Sequence, residues 1–236
     1  MLAIAALLAR VAPSRGVSPL AAAAFVALNP LVLIHVVGGA HNDGIAMLIA
    51  TLGVAAMLSA REASAGAAFV AGFALKAPAA IAAPFALVSA TRSQSFRLLA
   101  GGLVAALAIG AAAYAAFGWH WLDAIGLAGE NQHRTTHMSI PITFARLTGL
   151  DPTAVRATAL ALFAAGFLYL LLKTWRGMDW LRAAGWASFL LLLATAWLLP
   201  WYVIWSLPLV ALSRDRPLQL LTLALTAYQL PARIPL

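Results

Sequence analysis

The chain has no cysteine among its 236 residues. Disulfides, thiolate metal sites and cysteine nucleophiles are therefore excluded, and the redox compartment stays open. Charge is almost as scarce: charged residues make up 9% of the sequence and only seven are acidic, against 64% hydrophobic. A water-soluble domain carries roughly a quarter charged residues, so this chain lacks the polar surface to stay dissolved. Also missing are a glycine-rich phosphate loop, a serine-nucleophile motif and a dinucleotide fingerprint.

What charge there is sums to a formal +8. The basic residues stand in ones and twos between apolar runs, without interleaved aromatics. That pattern sets membrane topology and argues against nucleic-acid binding. No Asp, Glu, Lys or Arg occurs over 16–42, 44–60, 98–122, 157–172 or 183–213. Each run crosses or nearly crosses a hydrocarbon core about 30 Å thick. Backbone groups in lipid must pair internally, which requires helices. The expected fold class is all-α, a polytopic transmembrane bundle forming one multi-pass domain over 1–236. Its abundant small residues favour close helix packing.

The positive-inside rule predicts the cytoplasmic side for Arg10, Arg15, Arg61, Arg92, Arg97, Lys173, Arg176, Arg182, Arg214 and Arg216, ten of the fifteen basic residues. Segment 119–152, carrying Asp123, Glu130 and Asp151, becomes an extracytoplasmic loop. Residues 65–91 then have arginines of one side at both ends and must cross an even number of times. Two half-length helices turning near Lys76-Ala77-Pro78 satisfy this, because proline cannot continue the helical hydrogen-bond ladder. The alternative is one kinked span with one arginine loop misassigned. The same parity predicts a turn near Leu199-Pro200-Trp201-Tyr202 within 183–213. At the start, nine apolar residues meet Arg10 after about half a membrane thickness. This reads as the second half of a spanning helix, and the chain as a C-terminal portion; a short interfacial start is the alternative.

On this topology the chemistry-bearing residues gather at the outer pole: His35, His41, His120, His133, His137, Asn42, Asp43, Lys76, Glu130, Asn131, Gln132, Arg134, Trp201 and Tyr202. The sharpest local feature runs from Asn29-Pro30 to Gly38-Gly39-Ala40-His41-Asn42-Asp43-Gly44. A carboxylate at membrane depth is costly and marks a functional candidate. Asp43 would serve as general base on, or orient, a sugar hydroxyl; equally, Asn42 or Asp43 would simply cap the next helix. Lys76, one of two lysines, would hold a phosphate as a point charge, or else snorkel to the interface. Arg134 suits bidentate phosphate contact, and Glu130 is an alternative carboxylate; a merely solvated loop is the plain reading of both. His133 and His137 have i,i+4 spacing but no accompanying glutamate, and Pro141 limits any helix there, so no metal site is expected. Trp119, Trp121, Trp201, Tyr202 and Trp205 suit an interfacial aromatic belt.

The stretch from Asn29-Pro30-Leu31-Val32-Leu33-Ile34-His35 to Asp43 resembles one in membrane glycosyltransferases of the GT-C superfamily. Within it, the likeness is to actinobacterial polyprenol-phosphomannose-dependent alpha-(1→6)-mannosyltransferases. Leu75-Lys76-Ala77-Pro78 with Pro84, and Pro200-Trp201-Tyr202-Val203-Ile204-Trp205, fit the same likeness. The resemblance implies transfer of a hexose, mannose by subgroup, from a polyprenyl-phosphate donor to a glycan or glycolipid hydroxyl at the outer face of the plasma membrane. It implies an acidic residue near the outer face that activates the acceptor, and cationic groups that stabilise the departing phosphate. The candidates this sequence offers are Asp43 and Glu130 as catalytic carboxylates, and His41, Asn42, Lys76, His133, Arg134, Trp201 and Tyr202 as substrate contacts. It implies no cofactor beyond the lipid-linked donor. The superfamily's principal acid usually follows its first spanning helix, and no counterpart precedes Arg10; Asp43 would then be supporting. A transporter or lipid flippase, or a non-catalytic membrane subunit, are the competing readings. Carriers use broken helices too, but usually show internal repeats, and none is visible here.

Overall fold

A computed structural model describes residues 1–124, 126, 129 and 134–232. Among them there are no strands. The α-helices are α1 (Leu2–Val11), α2 (Pro19–Ala27), α3 (Asp43–Leu58), α4 (Glu62–Leu75), α5 (Ala83–Ser89), α6 (Arg92–Phe117), α7 (Ile140–Thr148), α8 (Pro152–Trp175), α9 (Trp180–Ala194), α10 (Leu207–Leu212) and α11 (Arg216–Gln229). Their starts are written in the sequence. Ser18, Ser139, Asp151, Asp179 and Asp215 each accept a backbone N–H of the first turn, and Thr91 with Gln94 closes a capping box. Three of the seven acidic residues thus serve as caps, where they satisfy orphan donors and the helix dipole.

Among the described residues, two helices are long and apolar enough to cross a membrane: Arg92–Leu122, which is α6 with the 3-10 turn after it, and α8. A core helix of a water-soluble protein would be mostly buried, yet only 11% and 6% of their apolar windows are covered by protein. Leu99, Leu103, Val104 and Leu107 on α6, and Leu162, Leu168 and Tyr169 on α8, are all more than half exposed. Lipid is the solvent those faces need. The fold is the all-α membrane bundle expected.

Between these helices lie the two predicted hairpins. The first rises along α4 and breaks at Lys76, whose backbone is extended (φ −162°, ψ 120°). A 3-10 turn, Ala77–Ala80, folds back so closely that a Cβ on Gly72 would lie 3.1 Å from that of Ala79. α5 then returns to the starting end, where Arg97 Nε meets Glu62 at 3.0 Å and Ser95 donates to the Leu87 carbonyl. The second hairpin runs up α9, turns through the 3-10 segment Pro200–Trp205 and returns along α10. Its two ends are joined by Arg182 Nε to Asp215 at 2.7 Å. Parity counting therefore chose correctly over a single kinked span.

Within segment 119–152, expected as an outer loop, the chain forms a short helix of its own, α7. Residues 134–139 are not helical, as expected of the stretch before Pro141, which itself occupies the first turn of α7, just after the cap Ser139. At that position proline's missing N–H costs nothing and its fixed φ favours the helix.

Candidate functional site

The connection from α2 to α3 is shaped by Asn29. Its side-chain oxygen accepts the N–H groups of Leu31 and Val32, and its amide donates to Thr226 Oγ at 3.0 Å. This fastens the Asn29-Pro30 corner to α11. The next residues, Val32–Val37, form a π-helical turn, a distortion frequent at functional sites. Gly39 is obligatory beyond it, since a Cβ there would overlap the His35 carbonyl oxygen. Ala40, at φ 51°, then completes a left-handed step into α3. Asn42 takes the N-cap position but makes no side-chain capping bond, and it is exposed.

Asp43 does not cap either. Its carboxylate, 1% exposed, faces the tips of both hairpins. Lys76 Nζ lies 2.7 Å from Oδ1 and 2.8 Å from Oδ2, and the Trp205 indole N–H donates to Oδ1 at 2.6 Å. Lys76 therefore turns inward and does not snorkel, although its side chain stays 24% exposed. Tyr202 stacks on Trp205 with centroids 3.9 Å apart. The Lys76 ammonium sits 4.7 Å from the first ring and 5.4 Å from the second, an arrangement in which ring quadrupoles attract the cation. Three elements 33 and 162 residues apart in sequence thus converge on one carboxylate.

Around this pair the rest of the pole assembles. His41 stacks on Trp201 at 3.7 Å, and His35 approaches the same indole at 6.0 Å. Arg134 lies over Trp197, its guanidinium carbon 5.0 Å from the ring. The segment carrying Arg134 is strapped down: Thr136 donates through its backbone to Ala196 and through its hydroxyl to Leu198, while Gln229 donates to the Met138 carbonyl at 2.7 Å. Against Trp205 lies a small cavity lined almost wholly by apolar side chains, among them Met47, Val54, Ala82, Leu209 and Leu212; its one polar side chain, Thr51, donates its hydroxyl to the Met47 carbonyl.

Of the expected residues, the structure brings together His41, Asp43, Lys76, Trp201 and Tyr202, with Arg134 beside them on Trp197. Asn42 is adjacent, with no side-chain partner among the described residues. Glu130 and His133, with Asn131 and Gln132, lie outside the described residues. His120 sits apart, exposed and 3.4 Å from Asp123. Sequence reasoning placed Trp205 in an aromatic belt and left Trp197 unremarked. The only available signal was the i, i+4, i+5, i+8 spacing of Trp197, Trp201, Tyr202 and Trp205, which lines one strip of the turn.

Trp205→Phe keeps the ring but removes the buried donor to Asp43. We expect destabilisation of about 1.5–3 kcal/mol, the range for a hydrogen bond to a charged group, measured by unfolding in detergent. Trp201→Phe, which removes no hydrogen bond to a carboxylate, should cost about 1 kcal/mol or less. Equal losses would mean that the indole N–H contributes nothing special.

Comparison with known families gives one match. Residues 1–92 match the family described as alpha-(1->6)-mannopyranosyltransferase, N-terminal domain. That stretch contains α1 to α5, and with them His41, Asn42, Asp43 and Lys76; Arg134, Trp201, Tyr202 and Trp205 lie beyond it. No curated protein and no solved structure matches the chain.

Proposed function

We propose that the protein is a multi-pass membrane mannosyltransferase of the GT-C kind. It takes the sugar from a polyprenyl-phosphate carrier and passes it to a glycan or glycolipid hydroxyl at the extracytoplasmic face of the cell membrane. The observation that carries this reading is the buried Asp43–Lys76 pair at one pole, lying within the segment that matches the mannopyranosyltransferase domain. In the transfer, the acceptor oxygen bonds to the anomeric carbon, the bond from that carbon to the phosphate oxygen breaks, and polyprenyl phosphate leaves with the electron pair. Lys76 and Arg134 are the cations that stabilise the departing phosphate, in surroundings where preorganised charge is strong. As Lys76 turns from Asp43 to the phosphate, the carboxylate is freed to orient the acceptor hydroxyl and take its proton. His41, Asn42, Trp201 and Tyr202 supply sugar contacts, and Glu130 and His133 stand as further candidates from the sequence. The reaction as written uses no cofactor besides the donor.

A transporter or flippase needs a polar route to both faces. Here the cavity against Trp205 is apolar apart from Thr51, whose hydroxyl is bonded to the Met47 carbonyl, which favours the enzyme over that alternative. A non-catalytic subunit has no use for a buried carboxylate, lysine and indole held together. The direct test offers synthetic polyprenyl-phosphate mannose and a short mannoside to membranes containing the protein. Mannose transfer is expected, and its loss in Asp43→Ala and Lys76→Ala together. Transfer unchanged in that double variant would remove the assignment of both residues, and no transfer by the folded protein would remove the activity.

A further inference from the structure

The pole opposite the site has a charge imbalance that the fold does not correct. Arg10, Arg15, Arg61, Arg92, Arg97, Lys173, Arg176, Arg182, Arg214 and Arg216 all stand at its helix ends. Among the described residues three carboxylates reach this pole, and each is engaged: Glu62 by Arg97, Asp179 by Arg15, and Asp215 by Arg182. Ten cations less three anions leave +7 here, nearly all of the chain's formal +8.

Part of this surface is built with some care. Arg15 to Asp179 (2.7 Å) and Arg182 to Asp215 (2.7 Å) tie the loops 12–18, 176–179 and 213–216 into one junction. Asp215 is doubly held, because the Trp186 indole also donates to it at 2.9 Å. Burial pushes its carboxyl pKa up, but the Leu218 N–H, Trp186 and Arg182 outweigh that and hold it below the ordinary value. Arg214 has a left-handed backbone, φ 57°, which is uncommon outside glycine. Its guanidinium thereby lies over Gly16, itself left-handed at φ 62°, with atoms 3.8 Å from where a Cβ would stand. Arg176 and Arg214 are exposed, and no carboxylate among the described residues pairs with either. Beside Arg176, Trp175 is 74% exposed at the end of α8, whose outward face is apolar through Leu168 and Leu172.

We propose that this three-loop junction binds the phosphodiester headgroup of an anionic membrane lipid, with Arg176 and Arg214 as its ligands. The occupant follows from position and charge. The apolar flank of α8 places acyl chains directly below the junction, and an exposed indole at that level suits the boundary between headgroup and chain. The uncompensated arginines supply the attraction that polybasic segments exert on anionic lipid. The left-handed step at Arg214 holds one guanidinium over Gly16, within the junction. This inference is independent of the reaction carried out at the other pole.

The test is thermal unfolding of the purified protein in zwitterionic detergent, titrated with phosphatidylglycerol, phosphatidylcholine or inorganic phosphate. Phosphatidylglycerol should raise the Tm, and the other two should not. Arg176→Gln with Arg214→Gln should weaken that lipid's apparent affinity about thirtyfold, roughly fivefold per charge. Arg146→Gln, an exposed basic residue on α7, should leave it unchanged. Arg176→Lys with Arg214→Lys, which keeps both charges, should retain most of the stabilisation even if the neutral variant folds poorly. Equal stabilisation by phosphatidylcholine, reproduction of the shift by inorganic phosphate, or equal weakening by Arg146→Gln would each overturn the proposal.

Discussion

Lys76→Met should destabilise the protein by about 3–5 kcal/mol, the range for removing one partner of a buried ion pair, and should abolish mannose transfer. Adding Asp43→Asn to it should return most of the lost stability and none of the transfer. Asp43 is 1% exposed and has two partners among the described residues, Lys76 and Trp205. Methionine fills the space of the lysine stem but leaves a carboxylate that only one indole N–H can satisfy. Asparagine removes that charge, and its amide oxygen still accepts from Trp205. Unfolding measurements on both single variants and the double variant close the cycle. Additive losses would show that the two side chains do not stabilise one another, and the site would lose its centre.

Gly101→Leu is expected to have the largest structural effect, separating α4 from α6. These helices meet backbone to backbone: a Cβ on Gly101 would overlap the Ala63 carbonyl, and one on Gly66 would overlap that of Leu98. Neither neighbour is a side-chain end that can swing away, so the helices must move apart. That loses the small-residue packing by which membrane helices associate. The cost should exceed about 3 kcal/mol, the upper end of ordinary overpacking, and should appear as a lower Tm or loss of folded protein. Gly110→Leu, on the same helix with nothing within 4 Å, should be nearly silent. Gly102→Ala should fall between, because its one tight contact is the Val70 methyl at 3.3 Å, with the Gly66 carbonyl oxygen at an ordinary 3.5 Å. A Gly101 variant as stable as the Gly110 variant would contradict the observed crossing.

Much of this architecture was legible before any coordinates. Charge-free runs gave the helices, and arginines at both ends of 65–91 and 183–213 required the two hairpins. Pro78 and Pro200 marked where they turn. The gathering of His41, Asp43, Lys76, Trp201 and Tyr202 at one pole followed from the same counting. The pairing inside that pole did not. Nothing in local spacing tells a cap from an ion-pair partner at Asp43, because the residues that decide it, Lys76 and Trp205, come from other hairpins. Trp205 was hidden for a related reason: an indole that stacks and donates inward has the same sequence signature as one anchoring at an interface. Pro141 was legible as a limit on any helix through His137, but that it also opens α7 shows only in the preceding Ser139 cap. The Asn29 corner was visible as a motif, but its fastening to Thr226 spans 197 residues.

Because the chain has no cysteine, single introduced thiols report sidedness cleanly. Asn42→Cys and Thr135→Cys lie at the pole of the Asp43–Lys76 pair, and Arg176→Cys at the opposite one. Labelling of sealed membranes with an impermeant thiol reagent should modify the first two from the same side and the third only from the other. Should positions 42 and 135 react from opposite sides, residues 41–43 and Arg134 could not share a pocket, and the single-pole site would be wrong.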